Sequence, residues 1–261
     1  MTTPAIDKFQ AHKHCYLGTE RLVYSAGSGS LVVLLHEIPN ATPETFDLGL
    51  KLVKEGFRVH IPILFGTPNA PFSMRSAIKQ MGLGCIKQEF AVFASDRSSP
   101  VVEWLRALCI VLLREEEQDR IGMIGMCFTG NFALGLIAED WMKAPILSQP
   151  SLPYPIGGAF NNGLHVSPET IKKAKERDDL NILGLRFSYD WMCPKSRFQR
   201  LDEEFGEAFQ GIEIDSSPFN SHQIPVTAHS VLTLDLVDKE GHPTHDAWLA
   251  VLDFLSQKLL H

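Results

Sequence analysis

The sequence has few cysteines and no CxxC pair among them; the five are Cys15, Cys85, Cys109, Cys127 and Cys193. An odd set without ligand spacing argues against a disulfide framework and a structural zinc site, and suits a reducing compartment. Positive charge is also short, with 24 Lys and Arg against 31 Asp and Glu and a net charge of -7. A field of that sign repels polyanions, so nucleic acid is not the expected partner. Long apolar runs are missing too. Residues 121–138 form the one uncharged stretch near membrane-spanning length, and their four Gly, one Thr and one Asn read better as strand, tight turn and helix start. The N-terminal MTTPAIDKFQAHKHC is polar and lacks the apolar core of a signal peptide. These absences predict a cytoplasmic protein with no membrane partner.

What is present suits a globular chain. Apolar residues make up 44% and charged residues 21% of the 261 positions, with 19 Gly and 16 Pro spread along them. That is enough for a sizeable core and unlike a disordered or coiled-coil sequence. Strand-length apolar runs at 30–35, 57–63, 120–125, 180–187 and 230–236 alternate with helical patterns at 42–55, 100–117, 167–177, 194–209 and 243–259. Nearly continuous apolar strands are buried on both faces, and strand-helix alternation builds a mostly parallel open sheet covered by helices on both faces. The expectation is one α/β domain over 1–261, with 1–20 a polar N-terminal arm. The Pro-, Gly- and Asn-rich stretch 145–164 reads as loops near the carboxyl ends of the strands, where such sheets bind ligands.

The most informative segment is Ile121-Gly-Met-Ile-Gly-Met-Cys-Phe-Thr-Gly130, an apolar strand that turns at once into a helical pattern. A side chain at such a turn is held at a strained, exposed tip, with small neighbours because backbone passes close by. The helix start behind Cys127 also favours a thiolate. A P-loop is ruled out because Asn131 stands where its Lys would be, and the glycine spacing does not fit a dinucleotide fingerprint. A free cysteine is more often a small buried core residue; here the strand-turn-helix setting favours a nucleophile. A nucleophile needs a base and an orienting group. Asp190 follows the strand 180–187, and His242 lies between the run 230–236 and the last helix, which gives the chain order nucleophile, acid, histidine. On this reading His222 and His229 precede the last strand and fall at the wrong edge. His36-Glu37 lacks the second histidine of H-E-x-x-H because residue 40 is Asn. His12, His14 and Cys15 read as exposed residues of the arm, and His245 and Asp246 as cap or surface residues, so no metal site is expected.

At these residues the sequence resembles the dienelactone hydrolase family of the α/β hydrolases. Gly125-Met-Cys127-Phe-Thr129-Gly130 is similar to that family's G-x-C-x-G-G elbow, with Thr129 in place of a Gly, and Leu34-Leu-His-Glu37-Ile38 is similar to its strand ending in Glu. The resemblance implies an α/β-hydrolase fold and a triad of Cys127, His242 and Asp190, with Glu37 beside the thiol controlling it before substrate arrives. It implies an oxyanion hole from the backbone N–H groups of Ile38 and Phe128, and no cofactor. The expected reaction is hydrolysis of a small carboxylic ester, lactone or thioester through an acyl-enzyme. Phe65, Phe72 and Trp191 are candidate pocket walls, with core packing as the alternative. One family pattern places Arg four residues after the histidine, where this chain has Asp246; Arg75 and Arg97 are other sources of positive charge. The alternative function is a catalytically weak, hydrolase-like module that binds a ligand or partner.

Overall fold

The computed structural model describes residues 3–82, 99–152 and 163–260. Its strands are β1 Gln10–Tyr16, β2 Thr19–Ala26, β3 Ser30–Leu35, β4 Phe57–Pro62, β5 Ile121–Met126, β6 Met142–Ser148, β7 Ile182–Phe187 and β8 Phe209–Ile214. All eight join one sheet in the order β1-β2-β4-β3-β5-β6-β7-β8. Pairing is antiparallel from β1 to β2 and from β2 to β4, and parallel everywhere else. The helices are α1 Pro43–Lys54, α2 Met74–Gly82, α3 Pro100–Glu115, α4 Gly130–Leu134, α5 Pro168–Lys175, α6 Lys195–Phe205 and α7 Pro243–Leu259. This is the α/β-hydrolase architecture. No helix among the described residues is long and apolar enough to cross a membrane.

The apolar runs are continuous because successive side chains feed different cores. In β3, Leu31, Val33 and Leu35 pack on one face with Trp104, Leu105 and Leu108 of α3. Val32 and Leu34 pack on the other with Phe46 and Leu52 of α1 and Val251 and Leu255 of α7. Helix starts follow their sequence signals: Ser99 caps α3 by accepting from Val102 N at 3.1 Å, and Pro100 fills the first helical position.

Four expectations change. The polar arm is not an arm over residues 10–16: they pair along their whole length with β2 as an edge strand, and their side chains stay largely exposed. Residues 142–148 form the central strand β6 despite Pro145, whose pairing with β7 begins only at Ile146. The helix expected at 194–209 ends at Phe205, and Phe209 starts β8. The run 230–236 is not a strand but a series of turns, closed by Asp235, whose carboxylate accepts from the backbone N–H of both His229 and Ser230 at 2.9 Å. The last strand of the sheet is therefore β8, and the chain from Asp215 to His242 is one long connection to α7.

Candidate active site

The strand order reverses around β3, with β4 on one side and β5 on the other. A crevice at the carboxyl ends of strands flanking such a reversal is where open α/β sheets place their ligands. Cys127 follows β5 directly, and Glu37 lies two residues beyond β3.

Cys127 sits at the sharp turn between β5 and α4 with φ of 54°, in the left-handed region that a non-glycine residue adopts only under strain. The close approach behind it explains the flanking glycines. A Cβ on Gly125 would lie 2.7 Å from the Thr129 carbonyl, and one on Gly130 would lie 2.9 Å from Pro150 Cβ. Thr129, the departure from the family pattern, replaces flexibility with hydrogen bonds. Its hydroxyl accepts from Met126 N at 3.0 Å and shares its proton between the carbonyls of Met126 at 2.8 Å and Leu35 at 3.2 Å. The Cys127 sulfur is 3.1 Å from the Ser151 hydroxyl.

Asp190 lies in the turn after β7 and is buried. One carboxylate oxygen accepts from Met192 N at 2.9 Å, and the other meets His229 Nδ1 at 2.7 Å. The loop is fixed from below by the buried Arg186, which donates to the carbonyls of Cys193 at 2.9 Å and Ser188 at 3.1 Å. The other ring nitrogen of His229, Nε2, is buried with no acceptor at ordinary hydrogen-bond distance among the described residues. Cys127 is nevertheless an electrostatic neighbour of this ring. Burial opposes charge on this ring, but the negative charge of a Cys127 thiolate and the Asp190 carboxylate outweigh it, holding the pKa well above the usual imidazole value.

His229, not His242, is thus the histidine brought to Asp190 and Cys127. The reason is the missing strand: with 230–236 folded as turns, the loop that reaches the sheet edge begins after β8 and carries His229. His242 instead caps α7, accepting from Thr244 N at 3.3 Å, and its ring packs edge-on to His222 at 5.3 Å. It makes no hydrogen bond to Asp190 or Cys127.

Glu37 is buried, but its hydrogen bonds are not to the thiol. Gln149 Nε2 donates to one oxygen at 2.6 Å and Thr233 Oγ1 to the other at 2.8 Å. Gln149 also accepts from Val231 N at 3.4 Å, so the carboxylate ties the end of β3 to the turns that follow His229. The adjoining His36 is wholly buried, donates from Nδ1 to the Glu37 carbonyl at 2.7 Å, and accepts at Nε2 from Leu64 N at 3.0 Å. Burial lowers its pKa to about 4, which keeps it neutral. Ile38 follows Glu37, and Phe128 opens the turn behind Cys127. Phe65 is a core residue, 6.3 Å from the Phe128 ring and 6.2 Å from Phe132. Phe72 and Trp191 are exposed, as is Arg75 on α2. Arg97 and Cys85 lie outside the described residues.

No curated protein matches the sequence. Solved structures match its fold over nearly the whole chain. One named m3DLH is 17% identical with a TM-score of 0.64, covering 97% of this chain and 99% of that one. A protein described as a dienelactone hydrolase from Klebsiella pneumoniae is also 17% identical, with a TM-score of 0.57 and coverage of 95% and 99%. The Pyrococcus furiosus esterase Pf2001 is 13% identical, with a TM-score of 0.62 and coverage of 96% and 91%. At the level of sequence, the model of the dienelactone hydrolase family matches residues 20–259. The chain therefore belongs to the dienelactone hydrolase family and is a carboxylic ester hydrolase on the α/β-hydrolase fold.

Proposed function

We propose that the chain hydrolyses a small carboxylic ester, lactone or thioester by nucleophilic catalysis from Cys127, with His229 as acid and base and Asp190 as the group that orients the imidazole. The observation that carries this reading is the 2.7 Å contact between Asp190 and His229 Nδ1, which leaves Nε2 beside the strained Cys127 elbow. A raised His229 pKa favours the imidazolium form of that ring, held against the Asp190 carboxylate. The thiolate attacks the carbonyl carbon, and the C=O electron pair moves to oxygen. Backbone N–H groups of Ile38 and Phe128 receive that oxyanion; such donors are each worth about 10²–10³ in kcat where one has been removed from other enzymes. As the C–O or C–S bond of the leaving group breaks, His229 gives it the proton. Water then attacks the acyl-thioester, losing its proton to His229, and the acid departs as the thiolate returns. The reaction needs no cofactor.

The test is turnover of a panel of activated short-chain esters and thioesters by the wild type and by Cys127→Ala, with mass spectrometry for an acyl adduct on Cys127. The expected result is loss of turnover in the variant and an adduct in the wild type. Equal rates for the two proteins would instead favour a ligand-binding module.

A further inference from the structure

We propose that Ser151 is the hydrogen-bond donor that steadies the Cys127 sulfur before substrate arrives, the place at which Glu37 was expected. The proposal rests on Cys127 being the nucleophile. The Ser151 hydroxyl is 3.1 Å from the sulfur, and the sulfur is its one hydrogen-bond partner among the described residues. Either atom can donate across this contact while the sulfur is a thiol, but a thiolate carries no proton, and toward it the Ser151 hydroxyl is the donor.

The hydroxyl is also held in place. Ser151 N donates to the Cys127 carbonyl at 3.1 Å, and Asn131 Nδ2 donates to the carbonyls of both Ser151 and Phe128 at 2.8 Å. Asn131 is in turn gripped by the buried guanidinium of Arg197, which also donates to the Gly163 carbonyl at 2.8 Å. Ser151 and the elbow therefore move as one piece. Among the described residues, the charged and titratable groups around the sulfur are His229 with Asp190 behind it, the buried thiol of Cys193, and Arg197 at one remove through Asn131. Glu37 is occupied by Gln149 and Thr233.

A donor to a thiolate has two opposed effects. It favours the ionised form, and it draws density from the sulfur and so blunts each thiolate's attack. The experiment measures the pH dependence of iodoacetamide alkylation at Cys127 in the full chain. In Ser151→Ala the midpoint should rise by about one pH unit, the loss expected for one hydrogen bond to a charged acceptor. The limiting rate at high pH should rise about threefold, from a nucleophilicity slope of about 0.4–0.5 per unit. Ser151→Thr, which keeps the hydroxyl, should restore both values. Simple loosening of the elbow would not shift the midpoint up and the limiting rate up together. An unchanged midpoint in Ser151→Ala, or a Thr variant that behaves like Ala, overturns the proposal. Ser151→Gly repeats the deletion should the Ala variant fail to fold. His229→Ala separates the two layers: if it leaves the profile in place, the triad itself falls. If it moves the profile and Ser151→Ala does not, only the role of Ser151 falls.

Discussion

Replacing His229 and His242 separately distinguishes the base that the geometry selects from the one the chain order suggests. His229 bonds Asp190 at 2.7 Å and faces Cys127, so on the proposed mechanism His229→Ala removes both the proton acceptor for the thiol and the proton donor for the leaving group. General acid-base groups contribute about 10²–10⁴ in rate, which at 1.36 kcal/mol per decade is about 3–5 kcal/mol of transition-state stabilisation. His242→Ala removes a helix cap, whose Nδ1 meets the Thr244 hydroxyl at 2.7 Å and accepts from Thr244 N at 3.3 Å. Caps are worth about 0.5–2 kcal/mol of stability. The assay is kcat/KM for an activated acetate ester at saturating and limiting substrate, paired with urea unfolding of each variant. The expected pattern is a folded, nearly inactive His229→Ala and a slightly less stable, active His242→Ala. A folded His242→Ala that has lost activity, beside an active His229→Ala, would refute the assignment.

Glu37→Gln should leave the alkylation profile of Cys127 where it is, because the carboxylate is bonded to Gln149 and Thr233; stability should fall by about 1–3 kcal/mol as two buried donors lose a charged acceptor. Faster alkylation at neutral pH in that variant would return Glu37 to the role of thiol regulator. Acid should destabilise the fold as pH falls below about 6.5. Burial lowers His36 to about 4 and His60 to about 3, so both stay neutral when folded and take up protons near 6.5 when unfolded. The unfolded state binds more protons as pH falls below 6.5, and each histidine should cost about 2 kcal/mol by pH 5. Urea midpoints at pH 7 and pH 5 should differ less in His60→Gln than in the wild type; an equal difference would count against a neutral buried His60.

The elbow was legible because its chemistry demands local signals: an apolar strand, small residues around Cys127 and an immediate helix. α7 was legible to the residue, since Pro243 sets its start. The strands β1, β2 and β8 were not. They lie toward the sheet edges, where one side is wet, and Gly211, Gln210 and Glu213 dilute the alternation in β8. β6 was hidden by Pro145, which ordinarily demotes a strand. The decisive miss was 230–236. Its Ser-Val-Leu-Thr-Leu spacing has the period of a strand, yet Val231 and Leu232 are buried as turn residues and Thr233 reaches Glu37. Periodicity alone does not distinguish a buried turn from a short buried strand. The carboxylate of Asp235 is the one nearby sign, since an Asp can close a turn by accepting from backbone N–H groups earlier in the chain.

Thr129 has a mechanical consequence. Its hydroxyl joins the turn after β5 to the final carbonyl of β3, the strand that leads into Glu37 and Ile38. The two proposed oxyanion donors, Ile38 and Phe128, stand on these two turns. A single side chain thus acts as a pin between jaws: sliding of β3 against β5 carries both donors in the same direction, and the gap between them is buffered from the breathing of the sheet.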